Sequence, residues 1–142
     1  MRRRDVLAAG LCWCAAPTLG DERAALNSVN QLRRLRGRRA LRWSSPLVLA
    51  AQAHADDMAR GGFFAHQGAN GSDVGARVTA AGYRWCGVAE NIAKGQTTLD
   101  KALKGWRTSR GHRRNMMDRE MTDLGVARGA GNIWVMVLAR GC

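Results

Sequence analysis

From residue 22 onward the apolar positions recur first at helical spacing and later as short continuous runs, and that change of period divides the chain. Between Glu22 and Leu35, Leu26, Val29 and Leu32 fall at helical spacing with arginine on the other side, which predicts a first helix. The stretch R-R-L-R-G-R-R, Arg33 to Arg39, breaks at Gly37 and reads as a solvated basic turn. Ser45-Pro46 opens a second helix, supplying a capping hydroxyl and a proline where a helix has no use for an N–H. Leu47, Ala51, His54 and Met58 line one face of that helix, and Gly61-Gly62 end it. On such a face His54 is expected to be a packed, hydrogen-bonded core residue rather than a ligand. Ser72 is placed to cap a third helix, with Val74, Val78 and Ala81 inward and Gly82 as its stop. Thr98 is placed to cap a fourth, in which Leu99, Ala102, Leu103 and Trp106 fall at i, i+3, i+4 and i+7. Leu124 to Ala127 and Ile133 to Ala139 are strand-like, and G-A-G-N between them supplies hairpin turn residues. Four helices and a small antiparallel sheet make the class α+β.

The amino terminus changes this picture. Three arginines precede an apolar run from Val6 to Ala16 that is too short to span a bilayer, the pattern of a secretory signal. Arg3-Arg4 followed by Asp5-Val6-Leu7 also resembles a twin-arginine export signal. Leu11 and Trp13, directly before Cys12 and Cys14, argue against a lipobox. Residues 1–20 are therefore expected to be a signal cut near Gly20, leaving 21–142 as one domain without a transmembrane segment, exported to a periplasmic or extracellular destination. Removing the signal takes three arginines and one aspartate, which lowers the formal net charge from +12 to +10. Such a surface attracts an anionic wall polymer, lipid or glycan. Arginine is 20 of the 23 basic residues, a bias that GC-rich coding alone produces, so charge by itself names no partner. Nucleic-acid binding would want aromatics interleaved with Arg33–Arg39, and only Trp43 stands nearby. Cys86 and Cys142 are the pair left after export, and an oxidising compartment makes them a disulfide, although spacing alone also allows two free thiols.

Three polar residues each follow a break in an apolar element: His66 in F-F-A-H-Q-G, Glu90 in A-E-N-I and His112 in W-R-T-S-R-G-H-R-R-N. These motifs, in this order, with G-Y and a final apolar strand, resemble the CAP superfamily of cysteine-rich secretory, venom antigen and plant pathogenesis-related proteins, in its short bacterial form. The resemblance covers roughly residues 22 to 142. It implies an α-β-α sandwich with about four helices on a small, mainly antiparallel sheet. It also implies a central cleft in which His66, Glu90 and His112 face one another. Where larger members carry a second glutamate, three residues after the tryptophan of the fourth helix, this chain has Ser109.

A carboxylate between two imidazoles keeps a histidine cationic, or joins both in holding a divalent metal such as zinc. Alternatively Glu90 anchors its loop by accepting backbone N–H bonds. Asn91 and Asn115 are expected to hold loop carbonyls. Trp85 and Trp106 are read as core, with cleft lining as the alternative. Two functions compete: a monomeric binding module without turnover, or a hydrolase in which Ser109 and His112 form a nucleophile and base oriented by Glu90, or in which metal-bound water attacks. The absence of a nucleophile-elbow motif and of an H-E-x-x-H helix favours the binding module.

Overall fold

A computed structural model describes residues 19–142, with side-chain surroundings from residue 24. The expected signal lies outside the described residues except for Leu19 and Gly20, which open the first helix. The elements are α1 (Leu19–Arg34), β1 (Arg42–Trp43), α2 (Ser45–Gly61), α3 (Val74–Ala80) and β2 (Trp85–Lys94), then α4 (Leu99–Thr108), α5 (Arg110–Met117), β3 (Asp123–Gly129) and β4 (Ile133–Gly141). The strands lie in the order β1-β3-β4-β2. Short β1 pairs with β3 in parallel, and the other two pairings are antiparallel.

The run I-W-V-M-V-L-A is apolar throughout because β4 is an inner strand covered on both faces. Trp134, Met136 and Leu138 join a core with Val29, Leu103, Trp106 and Met116, contributed by α1, α4 and α5. Ile133, Val135, Val137 and Ala139 join a second core with Leu47, Ala51, Met58 and Val78, contributed by α2 and α3. Strict alternation along one strand thus divides a three-layer α-β-α sandwich.

The α2 layer lies unusually close to the sheet. A Cβ on Gly125 would meet the backbone N of Val48 at 2.4 Å, and one on Gly129 would meet the carbonyl O of Ala55 at 2.7 Å. These two β3 positions are glycine because the α2 backbone occupies the space a side chain would need.

Local signals end the elements one or two residues from where the sequence pattern puts them. Ser44, not Ser45, caps α2, its hydroxyl accepting from the Leu47 N–H at 3.5 Å. Asp73, not Ser72, caps α3 by accepting from the Ala76 N–H at 2.8 Å. Thr98 caps α4 as expected. Among the described residues the helices number five, because the chain re-enters a helix after an extended Ser109. Arg33 is not part of a solvated turn. It is fully buried, and its guanidinium donates to the carbonyls of Arg39, Met116, Asp118 and Met121, tying the end of α1 to the loop between α5 and β3.

Cys86 and Cys142 form a disulfide with Cα atoms 4.8 Å apart. It closes β2 onto the end of β4, where Trp85 already pairs with Gly141. The bridge spans 56 residues, so by chain entropy it stabilises by at most about 4 kcal/mol.

Two stability changes are expected. Replacing both cysteines by alanine lowers the unfolding free energy by about 2–4 kcal/mol and leaves the far-ultraviolet spectrum unchanged, as read by urea denaturation. Gly125→Ala costs at least about 2 kcal/mol in the same assay, since its Cβ meets backbone that cannot rotate away.

Candidate functional site

Glu90 and Asn91 sit on β2, an edge strand, and not on a loop. Successive residues of a strand point to opposite faces, so the A-E-N motif reaches into both helical layers at once. Glu90 pairs in register with Val137, which faces the α2–α3 layer. Asn91 pairs with Met136, which faces the α1–α4–α5 layer.

On the first face, the Glu90 side chain is only 2% exposed, and both of its oxygens are engaged. Oε1 meets His66 Nδ1 at 2.9 Å, and Oε2 accepts from the Arg77 guanidinium at 2.8 Å. Arg77, from α3, is itself nearly buried and also donates to the carbonyls of His66 and Ser72. One permanent cation therefore neutralises the carboxylate and holds the backbone that carries His66. His54 of α2 is fully buried, as its apolar face predicts, and its Nε2 bonds the carbonyl of Ala65 at 2.7 Å, one residue before His66. That nitrogen is also 3.8 Å from Glu90 Oε1. Burial pushes the His54 pKa below its ordinary value, outweighing the upward pull of Glu90, so the ring is neutral and Nε2 is the donor. The product of this framework is the His66 side chain, 62% exposed, with Nδ1 fixed and Nε2 turned away from the carboxylate.

On the second face, Asn91 Nδ2 donates to the His112 carbonyl at 3.1 Å, and Asn115 donates to Asn91 Oδ1 at 2.8 Å and to the Glu90 carbonyl at 3.3 Å. Both asparagines are scaffold, as expected, and together they pin α5 to β2. The His112 pKa is lowered by burial and then by the charge of His66. His112 Nδ1 is buried and has no hydrogen-bond partner among the described residues. Ser109 is half-buried between α4 and α5, and its hydroxyl makes no capping bond. Among the described residues no hydrogen bond joins Ser109 to His112. Trp106 is core, 1% exposed, donating to the Ile92 carbonyl at 3.1 Å. Trp85 is 37% exposed and packs on α3, its indole N–H bonding the Gly75 carbonyl.

A zinc ion held by His66, Glu90 and His112 would meet a carboxylate whose two oxygens are each already engaged, by His66 and by Arg77. Among the described residues no group of three or more His, Cys, Asp or Glu side chains that could hold a metal ion is formed. The donors that remain for such an ion are two imidazoles, His66 through Nε2 and His112, with Glu90 behind His66 as its carboxylate partner. A cleft of about 660 Å³ lies elsewhere: Arg42, Tyr83, Arg84, Asp123 and Arg140 line it, and none of the three site residues does. There Tyr83 donates to the buried Asp123 at 2.6 Å, and burial with that bond pushes its pKa up to about 12.

Sequence reasoning missed Arg77. The signal was a matter of charge balance: a carboxylate set among apolar residues needs a permanent cation, and α3 contains one basic residue.

The chain resembles known proteins over most of its described length. The model of the cysteine-rich secretory protein family, CAP, matches residues 26–137. A Bacillus subtilis (strain 168) protein, YkwD, is 31% identical over 114 residues, 80% of this chain and 44% of its own. The B. subtilis membrane protein YlbC is 29% identical over 106 residues, 75% of this chain and 31% of its own. This chain thus spans less than half the length of either relative. An extracellular protein containing an SCP domain from Bacillus anthracis str. Ames superposes with a TM-score of 0.80 at 26% identity, over 85% of this chain and 40% of its own. An outer surface protein of Borrelia burgdorferi gives a TM-score of 0.80 at 17% identity, over 89% of this chain and 97% of its own, a likeness of fold alone. With the family model covering most of the chain and a five-helix α-β-α sandwich around the A-E-N strand, the protein belongs to the cysteine-rich secretory protein (CAP) family.

Proposed function

We propose that this protein is an exported binding module whose His66–His112 pair engages its ligand at the edge of β2, without turnover. One observation carries the reading: the fold buries a carboxylate and a guanidinium in order to fix an exposed imidazole. Such an outlay of buried charge is costly for a merely structural loop anchor, which neutral backbone bonds serve as well. The signal-like terminus supports export, and the extracellular SCP-domain protein of Bacillus anthracis agrees with it. Among the described residues no helix is long and apolar enough to cross a membrane. The ligand class is a lipid, glycan or wall component, and the imidazole pair is the place where a divalent cation such as zinc would bridge protein and ligand.

Within that reading His66 and His112 bind, Glu90 orients His66 and fixes its tautomer, and Arg77 is the buried counter-charge of Glu90. Burial lowers the His112 pKa, which favours the neutral ring that a metal-ligating imidazole needs.

Calorimetric titration with zinc tests the pair. His66→Ala and His112→Ala each abolish binding while keeping the fold, and wild-type affinity falls as pH drops through the imidazole range because protons compete for the same nitrogens. Unchanged affinity in both variants would remove the cation from the account.

His54→Ala behaves differently. It leaves the zinc affinity of the folded fraction unchanged but costs at least about 2 kcal/mol, through lost volume and an unsatisfied Ala65 carbonyl. Since the folded pKa values of His54 and His112 lie below the ordinary 6.5, the unfolded chain takes up protons that the folded one refuses. Wild-type stability is therefore complete above pH 6.5 and declines as pH falls below it. Denaturation curves across that range should be flatter for His54→Ala; an identical slope would show that His54 titrates normally.

A further inference from the structure

The clefts differ in how their charge is balanced. In the one lined by Tyr83 and Asp123, Arg42 faces Asp123 at 3.5 Å and Arg140 faces Glu120 at 4.0 Å, so two of its three arginines already have an acidic neighbour. A second groove, about 380 Å³, runs between α1 and α4 and is lined by Ser28, Asp100, Lys101, Leu103, Lys104 and Arg107. Lys101, Lys104 and Arg107 recur every three residues and so form one stripe, rising about 9 Å along α4. All three are exposed. Among the described residues no ion pair involves any residue of α4 or α5, and Lys101 Nζ meets only the neutral Thr97 hydroxyl at 3.1 Å.

The imbalance is concentrated in the α4–α5 segment. From Leu99 to Met117 there are six basic residues and one acid, Asp100, whereas α2 and α3 together carry two of each, Arg60 and Arg77 against Asp56 and Asp57. Among the described residues no acid pairs with the stripe, and its self-repulsion is relieved when an anion binds along it.

We infer that this α1–α4 groove is a binding surface for a linear polymer bearing phosphate groups, recognised through its phosphates alone. The chemistry selects that occupant over two others. A helix that docks on a bilayer presents exposed Leu, Phe or Trp beside its cations, and the large exposed hydrophobic residues among those described are Leu35, Leu49, Phe64 and Trp85, none on α4 or α5. Stacking of nucleic-acid bases needs an exposed aromatic, and the groove has none. What it offers is a row of hydrated cations over the buried Leu103, suited to a flexible, water-soluble polyanion. The surface is independent of the cleft: none of its side chains bonds His66, Glu90 or His112.

The test is titration of the whole protein with long-chain inorganic polyphosphate at several salt concentrations. The wild type binds with log K falling linearly against log salt. The triple variant Lys101→Gln/Lys104→Gln/Arg107→Gln loses at least about tenfold in affinity near 0.15 M salt, and its salt slope drops by about 2, the share of three released counterions on a single-stranded polyanion. Arg34→Gln/Arg36→Gln/Arg39→Gln removes the same charge from the exposed end of α1 and its turn, and loses less than about threefold. Since all six positions are exposed, both triples keep the wild-type thermal midpoint; if the first does not, Lys104→Gln/Arg107→Gln replaces it, with a slope change of about 1.4. Equal losses in the two triples would mean adsorption by net charge and overturn the groove. Tighter binding to phosphatidylglycerol vesicles, or to oligo-dT, than to polyphosphate at equal phosphate concentration would overturn the polymer in favour of a membrane or a nucleic acid.

Discussion

The ion pair between Glu90 and Arg77 is the constraint on which the site depends. A carboxylate 2% exposed in a protein interior is tolerated only with a partner that stays charged, and the guanidinium 2.8 Å away is that partner. Arg77 does a second task in the same position. By donating to the His66 carbonyl it fixes the backbone of the residue whose imidazole the carboxylate holds. Charge compensation and loop placement are thus one interaction, and neither lysine nor histidine could supply the same planar set of donors.

The edge strand makes that interaction reach both layers. Because Glu90 and Asn91 are consecutive on β2, one residue grips the α2–α3 side while the next grips α5 through the His112 carbonyl. The two imidazoles then come from opposite layers of the sandwich, His66 beside Glu90 and His112 on the helix that Asn91 grips. Their relative position is set by how the layers pack, which is why the glycines of β3 matter at a distance. Gly125 and Gly129 let α2 settle against the sheet and so fix the height of His54 and of the segment leading to His66. The Cys86–Cys142 bridge secures the same edge strand at its start.

Much of this was legible in the residues, and the failures share a cause. The helical periods, the two C-terminal strands, His54 as core and the scaffolding asparagines follow from pattern, because apolar burial dominates there. Strand β2 was not legible, since V-A-E-N-I-A puts polar residues at buried positions and no alternation survives. Helix α5 hid for a related reason: R-G-H-R-R-N-M-M buries one side chain, Met116, so there is little apolar period to detect. Arg33 and Arg77 read as surface charge, yet each is enclosed and bonded to carbonyls or a carboxylate. Type alone could not separate them from the exposed arginines around them. The family resemblance brought His66, Glu90 and His112 together where spacing could not, but it said nothing of the arginine between them.

The site depends on Glu90 and Arg77 acting as a pair, and a double-mutant cycle in unfolding free energy measures that pairing directly. Glu90→Gln and Arg77→Met are each expected to cost about 3–5 kcal/mol, because each leaves a buried charge alone. The double variant should cost less than the sum of the two by at least about 1.5 kcal/mol. Additive losses, within about 0.5 kcal/mol, would contradict the account and return Glu90 to the role of a loop anchor with no dependence on Arg77.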